Sequence, residues 1–174
     1  ENPLFSKEYA SRPIYPIFYA RYVDRLVTTP LPLLCLIAIV SPPPDTLKLL
    51  VFLNTCMVGC LFAATVEVQG SRWTFFVASC VFFVALAGTL RGEMTRLSES
   101  KSRGTKRLFL RLRSLTLTTN ALYLVAWVFC EGAKLMSTDL TILIYSATDL
   151  AGRCVFGLLL LRNLPNAAQV LGGG

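Results

Sequence analysis

The chain has no histidine and only five lysines among its 174 residues. Without imidazole, the common zinc sites and the serine or cysteine triads lose their usual ligand and base. The six cysteines (Cys35, Cys56, Cys60, Cys80, Cys130 and Cys154) form no CxxC pair and fall within or beside apolar stretches. A small thiol in such a place packs as a hydrophobe. No nucleophile–base pair is visible, so the expectation is of no catalytic residues, no metal and no enzyme. Charged residues are scarce as well, at 16% against 54% hydrophobic. With a mean hydropathy of +0.58, the chain is too apolar for an ordinary soluble domain.

What it has is apolar length. Stretches near the ~20 residues that cross a bilayer as helix recur at Pro16–Val40, Leu47–Val66, Ser71–Leu90, Leu112–Cys130 and Leu140–Arg162. They predict an all-α membrane protein: a bundle of five transmembrane helices in one domain covering residues 1–174, with the lipid bilayer as its first partner. The chain starts on Glu1, and Glu1–Ile14 is mixed and polar, without a basic-then-apolar leader; a fragment of a longer protein is the expectation. Asp45, after Ser41-Pro-Pro-Pro44, is the expected N-cap of the second helix. Thr29-Pro30-Leu31-Pro32 should interrupt the first.

The net charge of +7 is concentrated. Between Arg91 and Arg113 stand Arg91, Arg96, Lys101, Arg103, Lys106, Arg107, Arg111 and Arg113, against Glu93 and Glu99. Lysine and arginine excess marks the cytoplasmic side. The segment 91–113 is therefore read as a basic cytoplasmic loop, with Ser98–Thr105 mobile, the N-terminal side outside and the C-terminus inside, in the plasma membrane. Anionic lipid or a cytoplasmic protein suits such a loop. Nucleic acid does not, because the run has few aromatics and lies between two spans. Gly88-x-x-x-Gly92 is the one hint of a homo-oligomer.

Charges inside the apolar stretches carry the functional signal. Arg21, Asp24, Arg25 and Thr28 follow 3,4,3 spacing on one helix face, and Asp149 and Arg153 stand one turn apart on another. An unpaired charge at mid-helix costs about 2.5–3.5 kcal/mol, so five cost on the order of 12–18 kcal/mol unless the stripes face each other. The expectation is a buried cluster in which Asp24 and Asp149 are shared among Arg21, Arg25 and Arg153. Its surplus positive charge could hold water, an anion or another carboxylate, or the cluster could be a purely structural knot.

Ala20-Arg-Tyr-Val-Asp-Arg-Leu-Val-Thr-Thr-Pro-Leu31 resembles the third-helix signature of microbial (type I) rhodopsins, Arg-Tyr-x-Asp-Trp-x-x-Thr-Thr-Pro. Asp149-Leu-Ala-Gly-Arg-Cys-Val-Phe-Gly-Leu158 resembles their seventh helix, Asp-x-x-x-Lys-x-x-Phe-Gly, and Trp127-Val-Phe-Cys-Glu-Gly132 the end of their sixth, most closely in the fungal branch. The resemblance covers nearly the whole chain. It implies the third to seventh helices of a seven-helix rhodopsin-like fold, with the first two outside this sequence.

The resemblance also implies roles. Arg21 matches the family's outer arginine, and Asp24 and Asp149 its two counterion carboxylates. Thr28, Thr29, Met57, Phe76, Ser79, Tyr123 and Trp127 fall at retinal-pocket positions. Arg153 stands in place of the retinal lysine, Arg25 and Asn120 in place of two tryptophans, and Cys35 where pumps keep a carboxylate. Fungal opsin-related proteins without the lysine are similar to this chain, although tryptophan would be expected at Arg25. The implied function is an opsin-like membrane protein without covalent retinal, acting as a stress-related, regulatory or partner-binding component. A passive anion or small-solute pathway and a small-ligand sensor are the alternatives. A light-driven pump or photoreceptor would need the lysine.

Overall fold

A computed structural model describes residues 19–67, 70–133 and 135–162, with backbone conformation alone at 19–21 and 23. The described helices are α1 (Tyr19–Thr28), α2 (Pro30–Val40), α3 (Pro44–Val66), α4 (Arg72–Arg91), α5 (Glu93–Ser98), α6 (Arg103–Trp127) and α7 (Thr138–Arg162), with a π-helical turn at Val128–Gly132 after α6. Pro30 has no amide proton, so α1 stops before it and α2 restarts with proline in its first turn. Thr29 keeps a helical backbone and its N–H still donates to the Arg25 carbonyl at 2.9 Å. The interruption is therefore confined to one residue within a nearly continuous rod.

Ser41 ends α2 in the left-handed region (φ 53°), with its N–H on the Ile37 carbonyl. Asp45 is not the N-cap expected of it. The extended Pro43 holds that position, because Pro44 fits the first helical residue and starts the helix two residues early. Asp45 lies instead in the first turn of α3, where its charge complements the helix N-terminus.

The basic segment departs most from expectation. Residues 91–113 are largely helical rather than a loop, and only Gly92 and residues 99–102 lie outside helices. Ser102 caps α6 by accepting the Thr105 N–H at 3.3 Å. Thr105, Leu108, Phe109, Leu112 and Thr116 are buried at helical spacing, while Arg103, Arg107 and Arg111 are exposed. The charges are the outer face of an amphipathic helix. Met94 of α5, fully buried, packs with Leu36, Leu50, Leu90 and Phe109 in the largest core cluster.

Among the described residues, three helical stretches are long and apolar enough to cross a membrane: Pro44–Val66, Arg72–Ser98 and Thr138–Arg162. The other two expected spans are α1–α2, broken at Thr29, and α6, basic at its start. Between membrane helices the adhesion comes from close packing more than from water exclusion. Gly152 provides such a contact, since a Cβ there would lie 3.1 Å from Thr119 Cγ2, on α6.

Gly152→Val is expected to lower the stability of the detergent-solubilised protein by about 1–3 kcal/mol through overpacking. Gly59→Ala, with nothing within 4 Å of the added carbon, should be neutral or gain up to about 1 kcal/mol in thermal unfolding. Equal effects at the two sites would show that α6 and α7 do not touch at Gly152.

Candidate functional site

On α7, Asp149, Gly152, Arg153, Phe156 and Gly157 fall at helical spacing and line one wall of a cavity of about 430 Å³. Arg25, Thr28, Thr29, Leu31, Pro32 and Cys35 form the wall from α1 and α2, and Thr116, Thr119 and Asn120 are among those from α6. At its edge the Arg153 guanidinium donates to the Asp24 carboxylate and, at 3.1 Å, to the Thr28 hydroxyl. The pair sits at the rim, with 52% of the Arg153 side chain and 45% of the Asp24 side chain exposed.

Arg25 follows Asp24 by about 100° around the helix and faces the interior. It is 5% exposed, and its guanidinium carbon lies 3.1 Å from the centroid of the Tyr123 ring. This is a cation–π contact in a desolvated place. The charges are thus not shared as expected: among the described residues only Arg153 and Asp24 form an ion pair within the cluster. Arg25 and Asp149 line the same cavity without such a bond. Arg21 lies on α1, and its side chain is outside the described residues.

Of the expected pocket residues, Thr28, Thr29 and Asn120 line the cavity, and Met57, Phe76, Ser79, Tyr123 and Trp127 do not. The reason is that these groups pack on one another. The Phe76 and Trp127 rings stack at 4.7 Å and 11°, Trp73 meets both edge-on, and the Ser79 hydroxyl donates to the Met57 carbonyl at 2.8 Å. Tyr123 lies between Arg25 and the Tyr145 ring. Asn120 is 3% exposed, and its side-chain nitrogen has no hydrogen-bond partner among the described residues.

A second polar group escaped the sequence reading. The Trp127 indole N–H donates to the Thr65 hydroxyl at 2.9 Å, and that oxygen lies 2.5 Å from the Glu131 carboxylate. The Tyr22 hydroxyl is 2.7 Å from the same carboxylate and 2.6 Å from Thr65. The network ties α1, α3, α6 and the π-helical turn together at the end opposite the basic segment. Its sequence signal was slight: one carboxylate just past an apolar helix, and a tyrosine one residue after Arg21. The π-helical turn packs tightly here, with Gly132 leaving room for Trp127 and Trp73.

The family described as Bacteriorhodopsin-like protein matches residues 5–166. The chain is 33% identical over 150 residues to Opsin-1 of Neurospora crassa, covering 83% of this chain and 49% of that protein. It is 30% identical over 145 residues to the opsin-like protein carO of Fusarium fujikuroi, covering 83% and 47%. The chain therefore spans about half the length of these curated relatives. Among solved structures, the thermophilic rhodopsin from Rubrobacter xylanophilus superposes with a TM-score of 0.84 at 26% identity, over 90% of this chain and 71% of that one.

Thr65→Val keeps the volume and removes the hydroxyl shared by Trp127, Tyr22 and Glu131. It should cost about 1–3 kcal/mol, because a buried indole N–H loses its acceptor. Thermal unfolding together with a shift of tryptophan emission reads the effect. Unchanged stability and emission would contradict the network.

Proposed function

The chain belongs to the bacteriorhodopsin-like family, and on that premise we propose that it is a non-photochemical opsin-like membrane protein with a regulatory or partner-binding role. The observation that carries this reading is the bond from Arg153 to Asp24 and Thr28. A guanidinium stays protonated at any physiological pH and is a poor nucleophile, so it cannot form an imine with an aldehyde. It reproduces the positive charge that a protonated imine would present to an aspartate, and it makes that charge permanent. A cycle of proton release from this position to Asp24 has no proton to use.

The residues around the cavity do not fit retinal. Among the described residues no lysine lines the cavity. Lys48 is in the early part of α3 with its side chain 76% exposed, Lys101 lies between α5 and α6, and Lys106 pairs with Glu99 at 3.5 Å. Lys7 and Lys134 lie outside the described residues. A polyene also needs flat apolar walls, and here Phe76 and Trp127 are stacked on each other while Arg25 and Asn120 occupy the walls. An anion pathway finds less support, since one arginine is bonded to Asp24 and another is seated on Tyr123. Binding of a small ligand is favoured as a second reading by the buried arginine and by the Asn120 nitrogen, which has no partner among the described residues, in one cavity.

Added all-trans retinal is expected to give no visible band with the purified protein, and borohydride no covalent adduct. A red-shifted band fixed by borohydride would overturn the reading.

A further inference from the structure

We infer that the cavity between α1, α2, α6 and α7 binds an amphipathic carboxylate, an anionic head on an apolar tail, without a covalent bond. The inference rests on the reading of the chain as an opsin-like protein with no covalent chromophore. Two observations locate the head. Arg25 is 5% exposed, and among the described residues nothing accepts a hydrogen bond from it; the Tyr123 face attracts its charge but supplies no oxygen. The Asn120 side-chain nitrogen, in a residue 3% exposed, has no partner among the described residues either. Both side chains line the cavity. The buried Asn120 nitrogen without an acceptor is costly, and a carboxylate is an acceptor with two oxygens, able to meet that amide and the Arg25 guanidinium together.

The tail follows from the remaining walls. Leu31, Pro32, Leu115, Phe156 and Leu160 make most of the lining apolar, and the volume of about 430 Å³ falls in the range of small-molecule pockets. A bare inorganic anion would satisfy the donors and leave that apolar wall unfilled. A cationic amphiphile would meet two arginines. Asp149 is the opposing charge, yet it is only partly buried, so it is better hydrated than Arg25 and does not cancel it. Asp24, the other carboxylate near the cavity, is committed to Arg153. The site thus retains one buried cation facing apolar space.

The test titrates dodecanoate, dodecanol and sodium chloride into the full chain in nanodiscs of zwitterionic lipid, read by thermal shift and calorimetry. Saturable binding of dodecanoate about tenfold or more tighter than dodecanol is expected, with no saturable response to chloride. Arg25→Gln should weaken dodecanoate about tenfold and leave dodecanol unchanged. Because Arg25→Gln also removes the contact with Tyr123, Asp149→Asn is the second variant. It should tighten dodecanoate several-fold by removing a like charge, a gain that misfolding cannot mimic. Equal binding of acid and alcohol, or indifference of the acid to both substitutions, overturns the inference. A protein that forms no retinal adduct and also ignores dodecanoate sinks this inference alone, whereas a retinal adduct sinks it together with the reading it rests on.

Discussion

A carboxylate on α1 and a guanidinium on α7, 129 positions apart in the chain, join the two ends of the described bundle. An unpaired charge at the centre of a membrane helix costs about 2.5–3.5 kcal/mol on insertion scales, a penalty that the pairing of Asp24 with Arg153 reduces. The bond also fixes how α1 is rotated. With Asp24 facing α7, Arg25 has to turn inward against Tyr123, and Thr28, one turn on, falls beside Arg153. The cavity is what remains between these commitments. The pair is half-exposed in the described bundle, so its strength depends on what surrounds that rim more than on the two groups alone.

Two features of the interior follow from this one bond. The Arg153 guanidinium puts a permanent charge at the position where the family resemblance places a lysine. The inward Arg25 makes the interior cationic and hydrogen-bond-donating on one side, while the stacking of Phe76 on Trp127 closes the aromatic slot on the other. The cavity therefore has a polar end at Arg25 and Asn120 and apolar walls at Leu31, Phe156 and Leu160. At the opposite end from the basic segment, the Tyr22–Thr65–Glu131–Trp127 network holds four elements in register.

Much of this was legible in the residues. Period and length located the helices, the Thr-Thr-Pro break and the charged stripes, and the three motif blocks identified the fold. The partner of each charge was not legible. Helical spacing puts Arg21, Asp24, Arg25 and Thr28 on one broad face, but the 100° between neighbours is enough to send Asp24 and Arg25 to different helices, and only packing decides which. The helix at the start of α6 was hidden by its charges, whose density obscured the buried Thr105, Leu108, Phe109 and Leu112 period beneath them. The stacking of Phe76 on Trp127 depends on contacts between α4 and α6 that no local pattern encodes.

The central claim is that Arg153 is bonded to Asp24, and a charge swap tests it most directly. Asp24→Arg and Arg153→Asp, made singly, should each lower the unfolding temperature of the protein in lipid. The double variant should recover most of the loss, giving a coupling of about 0.5–3 kcal/mol in the double-mutant cycle. Additive losses with no recovery would mean that the two side chains do not meet, and the account would fail.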